Sequence, residues 1–115
     1  MEIKEIVQAA CQALEDKKGL DIRVIDVQGV SAIAEYFIVA SGSNVSQLQA
    51  LEDSVGHKMH ELNVELKNVE GNRASTWILM DYGDFIVHLF SEEDRMFYDL
   101  ERIWKDGKIV SADEL

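Results

Sequence analysis

The sequence lacks the features that mark secreted, membrane-bound or multidomain proteins. Its only cysteine, Cys11, cannot form an internal disulfide, which suits a reducing compartment. No apolar run approaches the ~18 residues that a membrane helix requires, and the N-terminus opens with Glu2, Lys4 and Glu5 around scattered apolar positions rather than with a signal sequence. There is also no proline, low-complexity stretch or internal repeat to mark a linker. We therefore expect one cytoplasmic domain without a membrane segment.

Basic residues are scarce as well. The chain has 11 lysines and arginines against 22 aspartates and glutamates, which gives a net charge of −11. Affinity for nucleic acid comes largely from lysines and arginines that displace counterions from phosphates, so this balance opposes direct contact with a nucleic-acid backbone. A nucleoprotein partner would have to offer a basic protein surface. The alternative is that the net charge only keeps the domain soluble.

What the sequence does contain is the composition of a globular protein. Apolar residues make up 47% and charged residues 29% of the 115 residues, a length that can bury one core. Apolar spacing and turn residues predict an α/β (α+β) single domain over residues 1–115, with helices packed on a mixed five-stranded sheet in the order α-β-β-α-β-β-β-α. The predicted helices cover about residues 2–17, 44–63 and the segment after Ser91, and the strands cover 22–27, 36–40, 66–69, 76–80 and 85–90.

Asp81, Asp84 and His88 are the first candidates for chemistry. Two carboxylates flank a predicted turn and an imidazole follows on the next strand, so a metal site or an acid–base pair could be built from them. Aspartates at the ends of a glycine-containing turn also have a structural use, because their side chains bond nearby backbone amides. We favour the hairpin turn and keep a small metal-dependent enzyme as the alternative.

Three further patterns indicate chemistry only weakly. His57, His60 and Glu61 lie within one turn of the second predicted helix, but a zinc helix has its histidines at i and i+4 with a glutamate between them. Residues 41–43 join a strand to a helix and could bring amides to a phosphate, yet they lack the lysine of a P-loop and the third glycine of a dinucleotide fingerprint. Cys11 lies on or beside an apolar helix face, where a thiol is usually packed. We expect no metal and no cofactor.

Aromatic residues gather in the last third of the chain together with arginines. This mix is typical of interface hot spots, although any single ring is more often part of the core. In the fourth predicted strand, Trp77, Leu79 and Asp81 share one face while Ile78 and Met80 share the other, so periodicity alone does not choose the buried face. We expect at least one ring to anchor a partner. The rings and arginines include Trp77, Tyr82, Phe85, Phe90, Phe97, Tyr98, Trp104, Arg73, Arg95 and Arg102.

Three long blocks of the sequence carry a family resemblance. Residues 34–43 read AEYFIVASGS, residues 77–90 read WILMDYGDFIVHLF and residues 95–104 read RMFYDLERIW. These blocks resemble the acidic-Tyr-Phe strand, the Trp strand with its Asp-Tyr-Gly-Asp turn, and the Tyr-Asp-Leu-Glu segment of the ribosomal silencing factor (RsfS, or Iojap) family. The chain departs from that pattern at Glu35, where the family usually has aspartate, and at Ser46, where a basic residue is common.

The resemblance implies a factor that binds the large ribosomal subunit through its protein fourteen, at the face where the small subunit joins. Such a factor lowers translation when nutrients run short, and the family tends to form homodimers. The implied fold is similar to that of nucleotidyltransferases, but no Asp-x-Asp metal pair follows Gly42 and Ser43 in this chain, so no reaction is implied. The partner-binding residues that the resemblance implies are Trp77, Asp81, Tyr82, Arg95 and Tyr98.

Two other functions stay open at this point. One is a factor for large-subunit assembly that uses the same surface, and the other is a small nucleotidyltransferase-like or metal-dependent enzyme built around Asp81, Asp84 and His88. The net charge agrees with docking on protein, because an acidic domain is repelled by bare ribosomal RNA but can pair with a basic ribosomal protein. We therefore expect little direct contact with nucleic acid.

Overall fold

Two helices and six strands make up the part of the chain that the computed structural model describes. That part comprises residues 2–29, 34–71 and 76–92, together with the backbone of residues 108–110. The predicted helices and strands before residue 91 are confirmed, with boundaries shifted by at most two residues. The predicted helix after Ser91 lies almost wholly outside the described residues. The helices are α1 (Ile3–Asp16) and α2 (Val45–Glu61), and the strands are β1 (Leu20–Asp26), β2 (Tyr36–Gly42), β3 (Asn68–Glu70), β4 (Trp77–Asp81), β5 (Phe85–Ser91) and β6 (Lys108–Val110).

Local side-chain chemistry fixes the start of α2. The side-chain oxygen of Asn44 accepts a 2.8 Å hydrogen bond from the backbone N–H of Gln47 and so caps the helix. The Gln47 side-chain oxygen accepts from the backbone N–H of Ser43 at 2.6 Å, and its amide group donates to the Lys18 carbonyl oxygen at 2.8 Å. Gln47 therefore ties the first turn of α2 to the end of α1.

The strands form one mixed sheet in the order β3-β4-β5-β2-β1-β6. The central pair, β2 and β5, is parallel, with Tyr36 opposite Phe85, and the other neighbouring pairs are antiparallel. The strand β6 was not among the five predicted strands and extends the sheet beyond β1, where Ile109 pairs with Ile25. The predicted fold class is confirmed, whereas the element order and the nucleotidyltransferase-like arrangement agree only in outline.

The two faces of the sheet pack differently. Alternation along the strands sends residues such as Ile38 and Met80 to one face, where they join buried residues of α1 and α2 in the larger apolar cluster. We call this the helix-covered face. A smaller cluster of Ile25, Val27, Val39 and Phe90 lies on the opposite face. We call that opposite face the aromatic face, and its positions on β1 to β5 are Arg23, Ile25, Phe37, Val39, Ser41, Asn68, Glu70, Trp77, Leu79, Asp81, Ile86, His88 and Phe90.

Candidate functional site

The register of β4 decides which of its two sides is exposed. Trp77 pairs with Phe90 and Leu79 pairs with His88 across the β4–β5 ladder, so these residues share the aromatic face. Ile78 and Met80 point to the helix-covered face and are 1% and 2% exposed. The choice that periodicity left open therefore falls on the side expected from the resemblance, with Trp77 turned away from the helices.

Trp77 is the exposed ring of a stacked aromatic group. Its side chain is 39% exposed, and its ring centroid lies 5.6 Å from that of Phe90 with planes only 10° apart. The His88 ring centroid is 6.5 Å away at 19°. An indole that stacks on neighbouring rings and is still 39% exposed offers a large contact area that loses little conformational entropy on binding.

Asp81 closes the turn between β4 and β5. Its Oδ1 accepts a 2.8 Å hydrogen bond from the backbone N–H of Gly83, whose positive φ of 89° suits glycine. The backbone N–H of Tyr82 donates to the Phe85 carbonyl oxygen at 3.0 Å. The hairpin interpretation of this segment is confirmed. Asp81 remains partly exposed at the end of the aromatic face, so its carboxylate combines a structural hydrogen bond with a surface charge.

A second carboxylate lies on the same part of the sheet. Glu70 on β3 pairs with Leu79 on β4, and Asn68 pairs with Asp81, so Glu70 and Asp81 border the apolar pair Trp77 and Leu79. Glu70 is exposed and Leu79 is partly buried. The β3–β4 end of the aromatic face thus combines an apolar centre with acidic margins, which is complementary to a basic protein surface.

Tyr82 lies on the other side of the sheet from Trp77. It is only 5% exposed and belongs to the cluster with the helices, and its ring stacks on Phe85 with centroids 5.0 Å apart. Burial, reinforced by the charge of Glu52, raises the pKa of Tyr82 to about 12. This position gives the Tyr82 ring a packing role beneath α2, and the partner contact expected for Tyr82 stays a prediction.

His88 is a polar side chain buried in apolar surroundings. It is 8% exposed, its ring meets Phe37 edge-on at 5.2 Å, and neither ring nitrogen has a hydrogen-bond partner within the described part of the chain. Burial lowers the pKa of His88 to about 4, so the imidazole is neutral near pH 7. Leaving a buried donor or acceptor unpaired costs about 1–3 kcal/mol. Sequence reasoning considered His88 only as a metal ligand or acid–base group and gave no sign of this burial.

The structure does not support the catalytic alternatives among the described residues. No group of three histidine, cysteine or acidic side chains in that part of the chain is placed to hold a metal ion. His57 instead pairs with Glu61 at 2.9 Å on the exposed side of α2, and the amide of Ser43 is bound by Gln47 rather than free for a phosphate. Burial, with a smaller effect of Glu15, raises the pKa of the Cys11 thiol to about 12, which suppresses the reactive thiolate.

Arg95 and Tyr98 lie outside the described residues, so the predicted contribution of these two side chains stays a prediction. Neither α1 nor α2, the helices of the described residues, has the length and apolar character needed to cross a membrane.

Comparison with known proteins identifies the family. The family model described as "Ribosomal silencing factor during starvation" matches residues 1–115. The ribosomal silencing factor RsfS of Bacillus subtilis (strain 168) is 34% identical over 113 residues, which cover 98% of this chain and 96% of that protein. A crystal structure of a Chromobacterium violaceum protein superimposes with a TM-score of 0.87 at 39% identity, covering 91% of this chain and 88% of the other.

A more distant relative comes from a eukaryote. The mouse protein named "Mitochondrial assembly of ribosomal large subunit protein 1" is 30% identical over 98 residues, which cover 79% of this chain and 41% of that longer protein. The family model extends over the three sequence blocks in which the resemblance was first noted. The chain belongs to the ribosomal silencing factor family.

Proposed function

We propose that this protein docks on the large ribosomal subunit, through ribosomal protein fourteen, and blocks joining of the small subunit. The observation that carries the proposal is the exposed indole of Trp77, stacked on Phe90 and bordered by two carboxylates. The family name and the names of the bacterial relatives, which are silencing factors, support a regulatory role for such a surface. Blocking subunit joining would repress translation when nutrients are limited.

The chemistry of the surface favours a basic protein over RNA. A tryptophan at the centre of an interface commonly contributes a large share of the binding energy once water is excluded around it. Asp81 and Glu70 would attract lysines and arginines, while the net charge of −11 opposes close approach of phosphates. We propose a binding patch of Trp77, Leu79, Asp81 and Glu70, to which Arg95 and Tyr98 would add side chains. The partner is then a basic ribosomal protein with little direct contact to nucleic acid.

The proposal includes several properties of the working protein. The family model spans residues 1–115, which supports one domain that acts as a whole. We propose that it acts in the cytoplasm without a cofactor, performs no catalytic step and forms a homodimer when it is not bound to the ribosome.

A light-scattering assay of subunit joining tests this function. Large subunits preincubated with the protein should fail to join small subunits, whereas preformed ribosomes should be little affected. Trp77→Ala is the informative variant, and Val69→Ala is its matched control because Val69 is also exposed, at 40%, but lies on the other side of the sheet. Equal inhibition of free subunits and preformed ribosomes, or none of either, would contradict the proposed block.

A role in large-subunit assembly is the second candidate, favoured by the name of the mouse relative. Depletion of an assembly factor should accumulate large-subunit precursors during growth, while depletion of a joining block should leave mature large subunits free to join. Sucrose-gradient profiles of depleted cells, with precursor RNA measured in each fraction, distinguish the two.

An enzymatic role predicts a third outcome. A nucleotide at ~100 times its dissociation constant should stabilise the fold by ~2.7 kcal/mol. We expect no shift in the melting temperature with Mg²⁺ and any nucleotide, and a clear shift with one nucleotide would favour an enzyme.

A further inference from the structure

The burial of His88 is difficult to explain by a purely structural role. Among the described residues it is the buried side chain whose polar atoms have no hydrogen-bond partner. Most buried polar groups in folded proteins are paired, so an unpaired one calls for a specific explanation. An apolar residue would fill the same position without leaving a donor and an acceptor unsatisfied. The imidazole therefore has hydrogen-bonding capacity that the isolated fold does not use.

The surroundings of His88 leave its hydrogen-bonding capacity intact. Val39 on β2 and Leu79 on β4 are its neighbours in register, and the rings of Phe37 and Phe90 lie within 5.2 and 6.1 Å of its own. None of these four side chains can donate to or accept from an imidazole. A neutral imidazole has one N–H donor and one accepting nitrogen. Burial keeps the pKa of His88 low, so the accepting nitrogen is available at cellular pH.

The position of His88 places that unused nitrogen at the proposed docking patch. Its Cα partner on β4 is Leu79, and its ring stacks with that of Trp77, the exposed member of the aromatic group. A lysine or arginine attracted by Asp81 and Glu70 would meet the Trp77 indole first, where a cation is favoured over the ring face. The imidazole lies next to that indole, with its ring centroid 6.5 Å away.

We infer that His88 is a partner-binding residue whose free ring nitrogen accepts a hydrogen bond from a basic side chain of the docked protein. Because both nitrogens are buried in the isolated chain, docking must shift the Trp77 ring enough to admit the donor. The inference rests on the proposed docking function and adds a buried contact to it. An alternative explanation is a single ordered water on His88, in which case docking would not depend on the nitrogens.

Two substitutions distinguish the effect of the ring nitrogens from the effect of the ring shape. His88→Phe keeps a flat ring for stacking and removes both nitrogens, and His88→Gln restores an accepting atom on a flexible side chain. His88→Leu repeats the first test with a smaller side chain if the larger ring does not fit. Met80→Leu, a change of similar volume on the helix-covered face of β4, is the matched control. The readouts are the urea midpoint of each purified variant and its affinity for isolated large subunits by co-sedimentation.

We expect His88→Phe to unfold at an equal or higher urea concentration than the wild type and yet to bind about tenfold more weakly, which corresponds to about 1.4 kcal/mol. His88→Gln should recover part of that loss, and Met80→Leu should bind like the wild type. Wild-type affinity in His88→Phe would overturn the inference and leave the docking function standing. Equal losses in His88→Phe and His88→Gln would also overturn it, because ring shape would then be the requirement. Failure of the wild-type protein to bind large subunits would overturn the docking function itself, and this inference with it.

Discussion

The helix-covered face and the aromatic face belong to the same strands but differ in how completely their side chains are buried and hydrogen-bonded. On the helix-covered face, Ile38, Leu51 and Leu89 are fully buried among other apolar side chains. On the aromatic face, Trp77 is 39% exposed and His88 is buried with no hydrogen-bond partner among the residues that the structure describes. One face therefore has the composition of a folding core, whereas the other keeps features that reduce stability.

This difference indicates that one face of the sheet serves folding stability and the other serves binding. Sequences usually follow the rules of packing and polar pairing except where function requires an exception. The exceptions among the described residues, a partly exposed indole and an imidazole without a hydrogen-bond partner, are neighbours on one face. The comparison predicts that substitutions on the helix-covered face change stability, while substitutions on the aromatic face change binding.

The largest effect is expected from Leu51→Ala on the helix-covered face. Leu51 is fully buried in α2 against the sheet, and truncation of such a leucine costs about 2–5 kcal/mol through lost burial and a residual cavity. Urea unfolding followed by circular dichroism measures the loss. Leu66→Ala is the control, because Leu66 is 40% exposed and its truncation should change stability by less than about 0.5 kcal/mol. A small loss for Leu51→Ala would show that the helices contribute little to the core.

Acid should destabilise the protein through His88. The pKa of His88 is about 4 in the folded state and 6.5 in the absence of burial, so the unfolded chain binds a proton more readily between these values. Stability is then complete above pH 6.5 and falls as the pH decreases towards 4, by up to about 1.4 kcal/mol per pH unit and on the order of 3 kcal/mol in total. Urea midpoints measured across this range should fall in the wild type and much less in His88→Phe. Parallel curves for the two proteins would exclude His88 as the source, since the carboxylates are common to both.

Truncation of the exposed indole should separate binding from folding. Trp77→Ala should weaken binding to large subunits by ~2 kcal/mol or more, roughly thirtyfold, with a smaller loss of stability because the ring is partly exposed. Co-sedimentation and urea unfolding of the same preparation provide both values. A variant that unfolds early would make Trp77 a core residue, and a stable variant with normal binding would put the docking surface elsewhere on the molecule.

The smallest effect is expected from the charge of Asp81. Asp81→Asn keeps an oxygen that can accept from the Gly83 amide, so the turn should persist while the negative charge is lost. Binding should weaken by ~1 kcal/mol, roughly fivefold, and should become less sensitive to salt because one attraction to the basic partner is gone. Affinities at low and high ionic strength test this. An unchanged salt dependence would remove Asp81 from the electrostatic contact.

The helices and most strands could be predicted because short-range rules determine them. Asn44 and Gln47 cap α2 through their own side chains, and apolar spacing marks the buried stripe of each helix. The strand β6 was missed because three residues carry too little periodicity, and its pairing with β1 involves residues far away in the sequence. Long-range pairing of this kind is not readable from local patterns.

The candidate site could be predicted only in part, because it also depends on the pairing of strands that are distant in the sequence. The resemblance selected Trp77 and Asp81, but the face of β4 depended on its register with β5, which periodicity did not provide. The resemblance placed Tyr82 in the patch beside Asp81, whereas its ring packs into the helix-covered core. The burial of His88 depends on Phe37, Trp77 and Phe90, which three different strands bring together.

The parallel pairing of β2 with β5 also constrains how the chain folds during synthesis. The strand β2 has β1 on one side and β5 on the other, but β5 is made only after α2, β3 and β4 have been added. At typical rates of translation, β2 therefore waits several seconds with one edge unpaired, and an unpaired apolar edge invites pairing with other chains. A nascent chain that stalls after α2 would carry both helices and still lack the strand that completes the centre of the sheet.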